Sequence, residues 1–149
     1  MLTRWLAASL HLLALGIGLG AVWARGRALR SPLAPDDIRR VFRADTFWGI
    51  AALLWISTGL WRLLAGLEKG TGYYLQNHVF LAKMTLLVVI LLLEIGPMVT
   101  LIRWRRTVAR GEAPDTSGAS RMAAISLVQT GLVVLMVFAA TAMARGIGM

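Results

Sequence analysis

Four stretches of the chain, residues 5–24, 46–66, 79–102 and 122–144, are apolar almost throughout. Each has about the 20 residues that cross roughly 30 Å of hydrocarbon as a helix. Only Arg62, Lys83 and Glu94 carry charge inside them. Little of the 149 residues is left over, so the pattern predicts one all-α domain across residues 1–149, an integral membrane four-helix transmembrane bundle. The first stretch is too long for the apolar region of a secretory signal. Its basic residues crowd the far end rather than the start, so it is expected to be retained as a helix.

The connections add detail. Between the first two stretches, Pro32 and Pro35 bracket a turn and Asp36 or Asp37 is placed to cap a helix. Ile38, Val41 and Phe42 then share one face, opposite Arg39, Arg40 and Arg43. That spacing predicts a short amphipathic interfacial helix, with Asp45 capping the second membrane helix after it. The second connection, residues 67–77, is short and Gly-rich, with Tyr73 and Tyr74 at the depth of an aromatic belt. Trp5, Trp48 and Trp61 also fall near membrane boundaries. The third, residues 103–121, holds Gly111, Pro114, Asp115 and Gly118 and reads as a flexible loop. Gly16 and Gly20 form a small-xxx-small pair and Ala139, Ala140, Ala142 and Ala144 line the last helix, where small residues let helices approach in lipid.

Composition agrees with this reading: 58% of residues are hydrophobic, 15% are charged, and the mean hydropathy is +0.69. The net charge of +9 would fit nucleic acid if it were spread over a soluble surface. Instead Arg25, Arg27, Arg30, Arg39, Arg40 and Arg43 lie in the first connection. Arg103, Arg105, Arg106, Arg110 and Arg121 lie in the third. These two connections share one side of a four-helix topology. The positive-inside rule makes that side cytoplasmic and puts both termini of a multi-pass protein outside. The partner expected is the bilayer, with a homo-oligomer or a larger membrane complex beyond it, and no nucleic acid. The chain has no cysteine, which excludes disulfides and thiolate metal sites.

Ionisable groups within a span cost several kcal/mol each and are functional-site candidates by default. With the termini outside, His11 lies roughly 9 Å into the first helix and Lys83 at nearly the same depth in the third. Arg62 and His78 fall nearby, Arg62 placed to reach headgroups and His78 at the boundary. Glu94 shares a face with Lys83 but lies about 16 Å away along the axis, too far for a direct pair. It therefore requires another partner, a proton or water. Pro97 removes a backbone donor beside it and predicts a kink. Arg25 lies two heptads beyond His11 and shares its face, so an internal polar seam is expected, with His11 and Lys83 at one end and Arg25 at the other. Lys83, Arg25 and Glu94 are the candidate catalytic residues. His11, Lys83 and Arg25 are the candidates for holding a cofactor, with His11 as the metal ligand. Two histidines without cysteine or a spaced carboxylate make a poor zinc or copper set, whereas one histidine suffices for a haem.

Two resemblances follow from these residues. The run Leu67-Glu68-Lys69-Gly70-Thr71-Gly72-Tyr73-Tyr74-Leu75-Gln76-Asn77, continuing through Phe80-Leu81-Ala82-Lys83-Met84, is similar to a family of small four-helix bacterial membrane proteins of unknown function. The likeness extends over the Asp45 region and the second helix, and it implies the bacterial inner (cytoplasmic) membrane. His11, Arg25 and the Ala82-Lys83 pair also resemble the J-type protoporphyrinogen oxidases, small four-helix haem-associated membrane proteins. Their functional histidine lies in the first helix, an arginine towards its far end, and a lysine shortly into the third. That resemblance implies a haem b or another tetrapyrrole, with His11 as axial ligand and Lys83 and Arg25 on propionates or in proton transfer, and so an oxidoreductase. The other expectations are a non-catalytic subunit of a larger complex and a small proton or ion pathway along Lys83, Glu94 and Arg25.

Overall fold

A computed structural model describes residues 2–64 and 76–147. The expectations for Lys69, Tyr73 and Tyr74 lie outside the described residues. Among those described there are four helices and no strand: α1 (Leu2–Ala28), α2 (Pro35–Leu64), α3 (His78–Ala109) and α4 (Ala119–Ala144). All four are long and apolar enough to cross a membrane. Successive helices alternate in direction. One end of the bundle therefore holds the start of α1, the end of α2, the start of α3 and the end of α4, here called the termini end, and the other holds the two arginine-rich connections, here called the basic end. α1 packs closely against α2 and α4, and α4 against α3. α2 and α3 meet only loosely.

The interhelical seam has a 3–4 repeat on every helix. On α1 it runs Ala7, His11, Ala14, Gly18, Ala21, Arg25, and on α4 Ala119, Met122, Ser126, Gln129, Val133, Met136, all of them buried. On α3 the same spacing connects Phe80, Ile90, Pro97, Leu101 and Trp104 and passes through the half-buried Lys83 and Glu94. On α2 it connects Ile38, Val41, Trp48 and Thr58 and passes through Asp45. A repeat averaging 3.5 residues keeps one face of each helix turned to its neighbours. Every polar side chain on that repeat is thereby carried into the bundle.

Several local expectations are revised. The amphipathic stretch is the first two turns of α2, which runs unbroken from Pro35 into the membrane segment. Nothing from Arg39 to Phe47 breaks a helix, and Asp45 does not cap a new one because its carboxylate is bound by arginines of other helices. Pro35 takes the first helical position, where its missing N–H costs nothing. Asp37 reaches back to accept the Ala34 N–H at 3.2 Å, one half of a capping box, and Asp36 pairs with Arg39. α3 starts on Asn77, whose side chain accepts from Val79 N at 2.9 Å and Phe80 N at 3.1 Å. It continues through Pro97 unbroken.

The glycine reading also changes. Gly16 and Gly20 face away from the other helices, with open space where a Cβ would stand. The close contact falls on Gly18, where a Cβ would sit 3.4 Å from Ala51 and 3.5 Å from the Trp48 ring. Trp48 is accordingly a core residue, unlike the exposed Trp5 and Trp61. Gly111 takes a φ of +78° and closes α3 in a Schellman motif, with Gly111 N bonding Val108 O and Glu112 N bonding Thr107 O.

Two apolar clusters flank a polar layer. Towards the basic end lie Leu29, Val41, Leu101, Trp104, Met122 and Ala123. Towards the termini lie Val22, Trp48, Ile90, Val133 and Met136. On each helix, the residues between these sets are the charged and amide groups of the layer.

Candidate functional site: a buried ionic layer and a basic cavity

Arg25 is fully buried, and its guanidinium is the centre of the layer. Glu94 on α3 takes a two-pronged contact, Oε1 from Nη1 at 2.7 Å and Oε2 from Nη2 at 2.8 Å. Asp45 on α2 accepts from Nη1 at 2.9 Å. Two α4 groups complete the set: Ser126 Oγ accepts from Nε at 3.0 Å and Gln129 Oε1 from Nη2 at 2.9 Å. All five N–H donors of the guanidinium are thus engaged, by three other helices. Gln129 then donates through Nε2 to Glu94 Oε2 at 2.9 Å and to the carbonyl of Ile90 at 3.1 Å.

A second cation balances the charge. Arg105 Nη2 donates to the other Asp45 oxygen at 3.0 Å, to Phe42 O at 2.8 Å and to Thr46 Oγ1 at 3.2 Å. Its guanidinium carbon lies 4.6 Å from the centroid of the Phe42 ring, within cation–π range. Two arginines therefore face two carboxylates, and the layer is neutral as a unit. A buried ion pair recovers its desolvation cost only with good geometry and satisfied hydrogen bonds, and both conditions hold for Arg25. Arg105 also provides a side-chain tie between α2 and α3, whose helices meet only loosely.

The second polar region lies nearer the termini. His11 Nδ1 is 2.9 Å from Thr58 Oγ1, and the Thr58 hydroxyl itself donates to Leu54 O at 2.7 Å. The imidazole stacks on Trp55 with centroids 5.5 Å apart and 27° between planes. It lies against Gly59, where a Cβ would come within 3.3 Å of His11 Cε1. His11, Arg62 and Lys83 line one cavity of about 130 Å³, with Trp55, Phe80 and Met84 among its other walls. Most of its walls come from the last turns of α2 and the first turns of α3, with His11 from α1 and Met143 from α4.

The residues predicted from sequence thus fall into two places. His11 and Lys83 share the cavity, as their common depth required. Arg62, expected at headgroups, lines it as well, while His78 is exposed at the start of α3. Arg25 and Glu94 lie in the ionic layer, apart from His11 and Lys83, and each supplies the partner the other needed. Asp45, Arg105, Ser126, Gln129 and Thr58 were not singled out as site residues from the sequence. Their register on the 3–4 repeat marks Asp45, Ser126, Gln129 and Thr58 as inward-facing, and Arg105 follows from its place one residue after the repeat position at Trp104. Among the described residues no group of three or more His, Asp or Glu side chains is arranged to hold a metal ion.

Fold and site together define a small multi-pass α-helical membrane protein with a neutral ionic layer buried in its bundle. The chain belongs to the family described as predicted membrane protein (DUF2214), which matches residues 3–148. No curated protein and no solved structure matches it.

Proposed function

We propose that the chain is a membrane receptor for an anionic amphiphile, with the head held among His11, Arg62 and Lys83 and the apolar body along Trp55, Met84 and Leu87. The observation that supports this reading is the cavity itself, which gathers basic side chains from three helices on an otherwise apolar wall. A carboxylate or phosphate head would bring its own charge to this basic wall and join or exchange with the contacts that these three side chains already make. Arg62 and Lys83 lie close to the helix ends, at the depth where an amphiphile carries its head.

A haem held within the bundle, as the resemblance to J-type oxidases implies, fits these residues poorly. Arg25, the expected propionate partner, has every donor engaged within the ionic layer. The enclosed space of about 130 Å³ is below the roughly 300–1,000 Å³ of ordinary cofactor sites. It holds a polar head and the first part of a chain. The resemblance rests on His11, Arg25 and the Ala82-Lys83 pair, and no redox step is derived from it.

The test is a titration of the protein in nanodiscs with a dibrominated stearate, whose bromines quench tryptophan. A saturable component that disappears in Trp55→Phe is expected. It should weaken at least tenfold in Lys83→Met, since losing one charge-assisted bond of about 1.5–3 kcal/mol is worth that much. A brominated phospholipid measured alongside separates a carboxylate head from a phosphate one. Quenching that rises linearly and ignores Lys83 refutes the reading. Haemin that binds with a Soret band dependent on His11 refutes it in favour of a tetrapyrrole.

A further inference from the structure

We infer that the acyl chain of this amphiphile runs along the seam of α2 and α3, from the basic cavity into a second, apolar chamber that ends at the ionic layer. The inference rests on the amphiphile reading and adds where the chain lies and how much of it is held. The chamber has a volume of about 40 Å³ and is lined from α1, α2 and α3, with Val133 from α4. It shares Trp55, Ile56 and Leu87 with the basic cavity, so these three side chains stand between the two spaces. Among the described residues its lining is apolar apart from Glu94, and both oxygens of that carboxylate are already bound, by Arg25 and Gln129.

The two spaces continue one another along the helices. On α3 their walls form a single row, Lys83, Leu87, Ile90 and Glu94, at steps of four, three and four. On α2 the row is Trp48, Ala52, Trp55 and Gly59, at the same steps. Residues so spaced share one helix face, so cavity and chamber lie end to end on one seam. Small residues make the room, Ala14 and Gly18 on α1 and Ala52 on α2. Protein interiors are close-packed, and the lining of a void forgoes dispersion contacts that an occupant restores. Water suits this void badly, because a buried water takes about three polar partners and the wall offers one carboxylate, already bound. A methylene chain needs none. At roughly 10–15 Å³ for each water-sized group, the chamber takes about three methylenes. From Lys83 to Glu94 the seam runs about 16 Å along α3. An extended chain advances about 1.2 Å per bond, a third of the reach of a peptide unit, so about 13 bonds fill it. Carbons beyond that length meet no further apolar wall.

Two tryptophans report the path. Trp55 borders both spaces, and Trp48, about 10 Å away along α2, borders the chamber but not the basic cavity. The protein in nanodiscs is titrated with 2-bromododecanoate, brominated beside the head, and with 12-bromododecanoate, brominated at the chain end. Saturable quenching by the first should disappear in Trp55→Phe and persist in Trp48→Phe. Quenching by the second should fall at least twofold in Trp48→Phe. Ala52→Leu fills the chamber and should weaken dodecanoate at least tenfold but hexanoate less than twofold, both measured by displacement of 2-bromohexanoate. Retained hexanoate binding shows that this variant is folded. Saturable quenching by 12-bromododecanoate that is unchanged in Trp48→Phe would overturn the path while leaving the basic site intact. Equal weakening of the two acids in Ala52→Leu would do the same. Absence of saturable quenching by either probe in the native chain would overturn the site and the path together.

Discussion

Replacing Arg25 with Met tests the ionic layer most directly. The change keeps a long unbranched side chain but removes a guanidinium that makes five hydrogen bonds, three of them to carboxylates. Asp45 retains Arg105 at 3.0 Å, so it stays neutralised. Glu94 retains the Gln129 amide at 2.9 Å and becomes a half-buried carboxylate at membrane depth that has lost its counter-ion. Breaking a buried pair from one side costs about 3–5 kcal/mol, most of it from the charge left behind. Glu94→Leu should cost a similar amount, since Arg25 then shares Asp45 with Arg105. The double variant removes both charges and should recover most of the loss, giving a coupling of at least about 2 kcal/mol. The measurement is reversible unfolding of the four proteins by sodium dodecyl sulfate in mixed micelles, followed by circular dichroism. Singles that each lose less than about 1 kcal/mol, with additive losses in the double, would refute the claim that these groups form one unit.

Gln129→Leu should destabilise by about 1–3 kcal/mol in the same assay, because it takes a partner from both Arg25 and Glu94 and uncovers the Ile90 carbonyl. A neutral result would show that water replaces the amide. Gly18→Leu should cost about 1–3 kcal/mol through collision with Trp48 and Ala51, whereas Gly16→Leu should be close to neutral in the monomer. Equal effects at the two positions would overturn the assignment of the packing face. The arginine distribution predicts both termini outside: a reporter fused after Met149 should be active on the outer side, and activity confined to the cytoplasm would reverse the orientation.

The membrane segments were legible because length and apolarity alone identify a span, and Arg62, Lys83 and Glu94 interrupt them visibly. The pairing of Arg25 with Glu94 was not. It depends on which helices become neighbours, and a sequence pattern within one helix carries no such information. Asp45 was misread because an acidic residue before an apolar run looks like a cap. Only the continuous helix from Pro35, with two arginines arriving from other elements, shows a different use. Gln129 and Ser126 were passed over since uncharged polar residues stand out little in an apolar run. Gly18 lost to Gly16 and Gly20 for a related reason. The small-xxx-small spacing is satisfied by both choices, and the 3–4 register from Ala7 to Arg25 decides between them.

The ionic layer draws on all four helices, and this gives the order of synthesis a physical meaning. When α1, α2 and α3 have entered the membrane, Arg25 can already meet Asp45 and Glu94. Its Nε and one Nη2 hydrogen, together with the Ile90 carbonyl, still lack the Ser126 and Gln129 partners that arrive with α4. Polar groups left open to lipid hold an unfinished bundle in a loosely associated state. The last helix therefore completes the layer: a chain stopped before Ser126 leaves two guanidinium donors of Arg25 without the oxygens that fill them in the finished bundle.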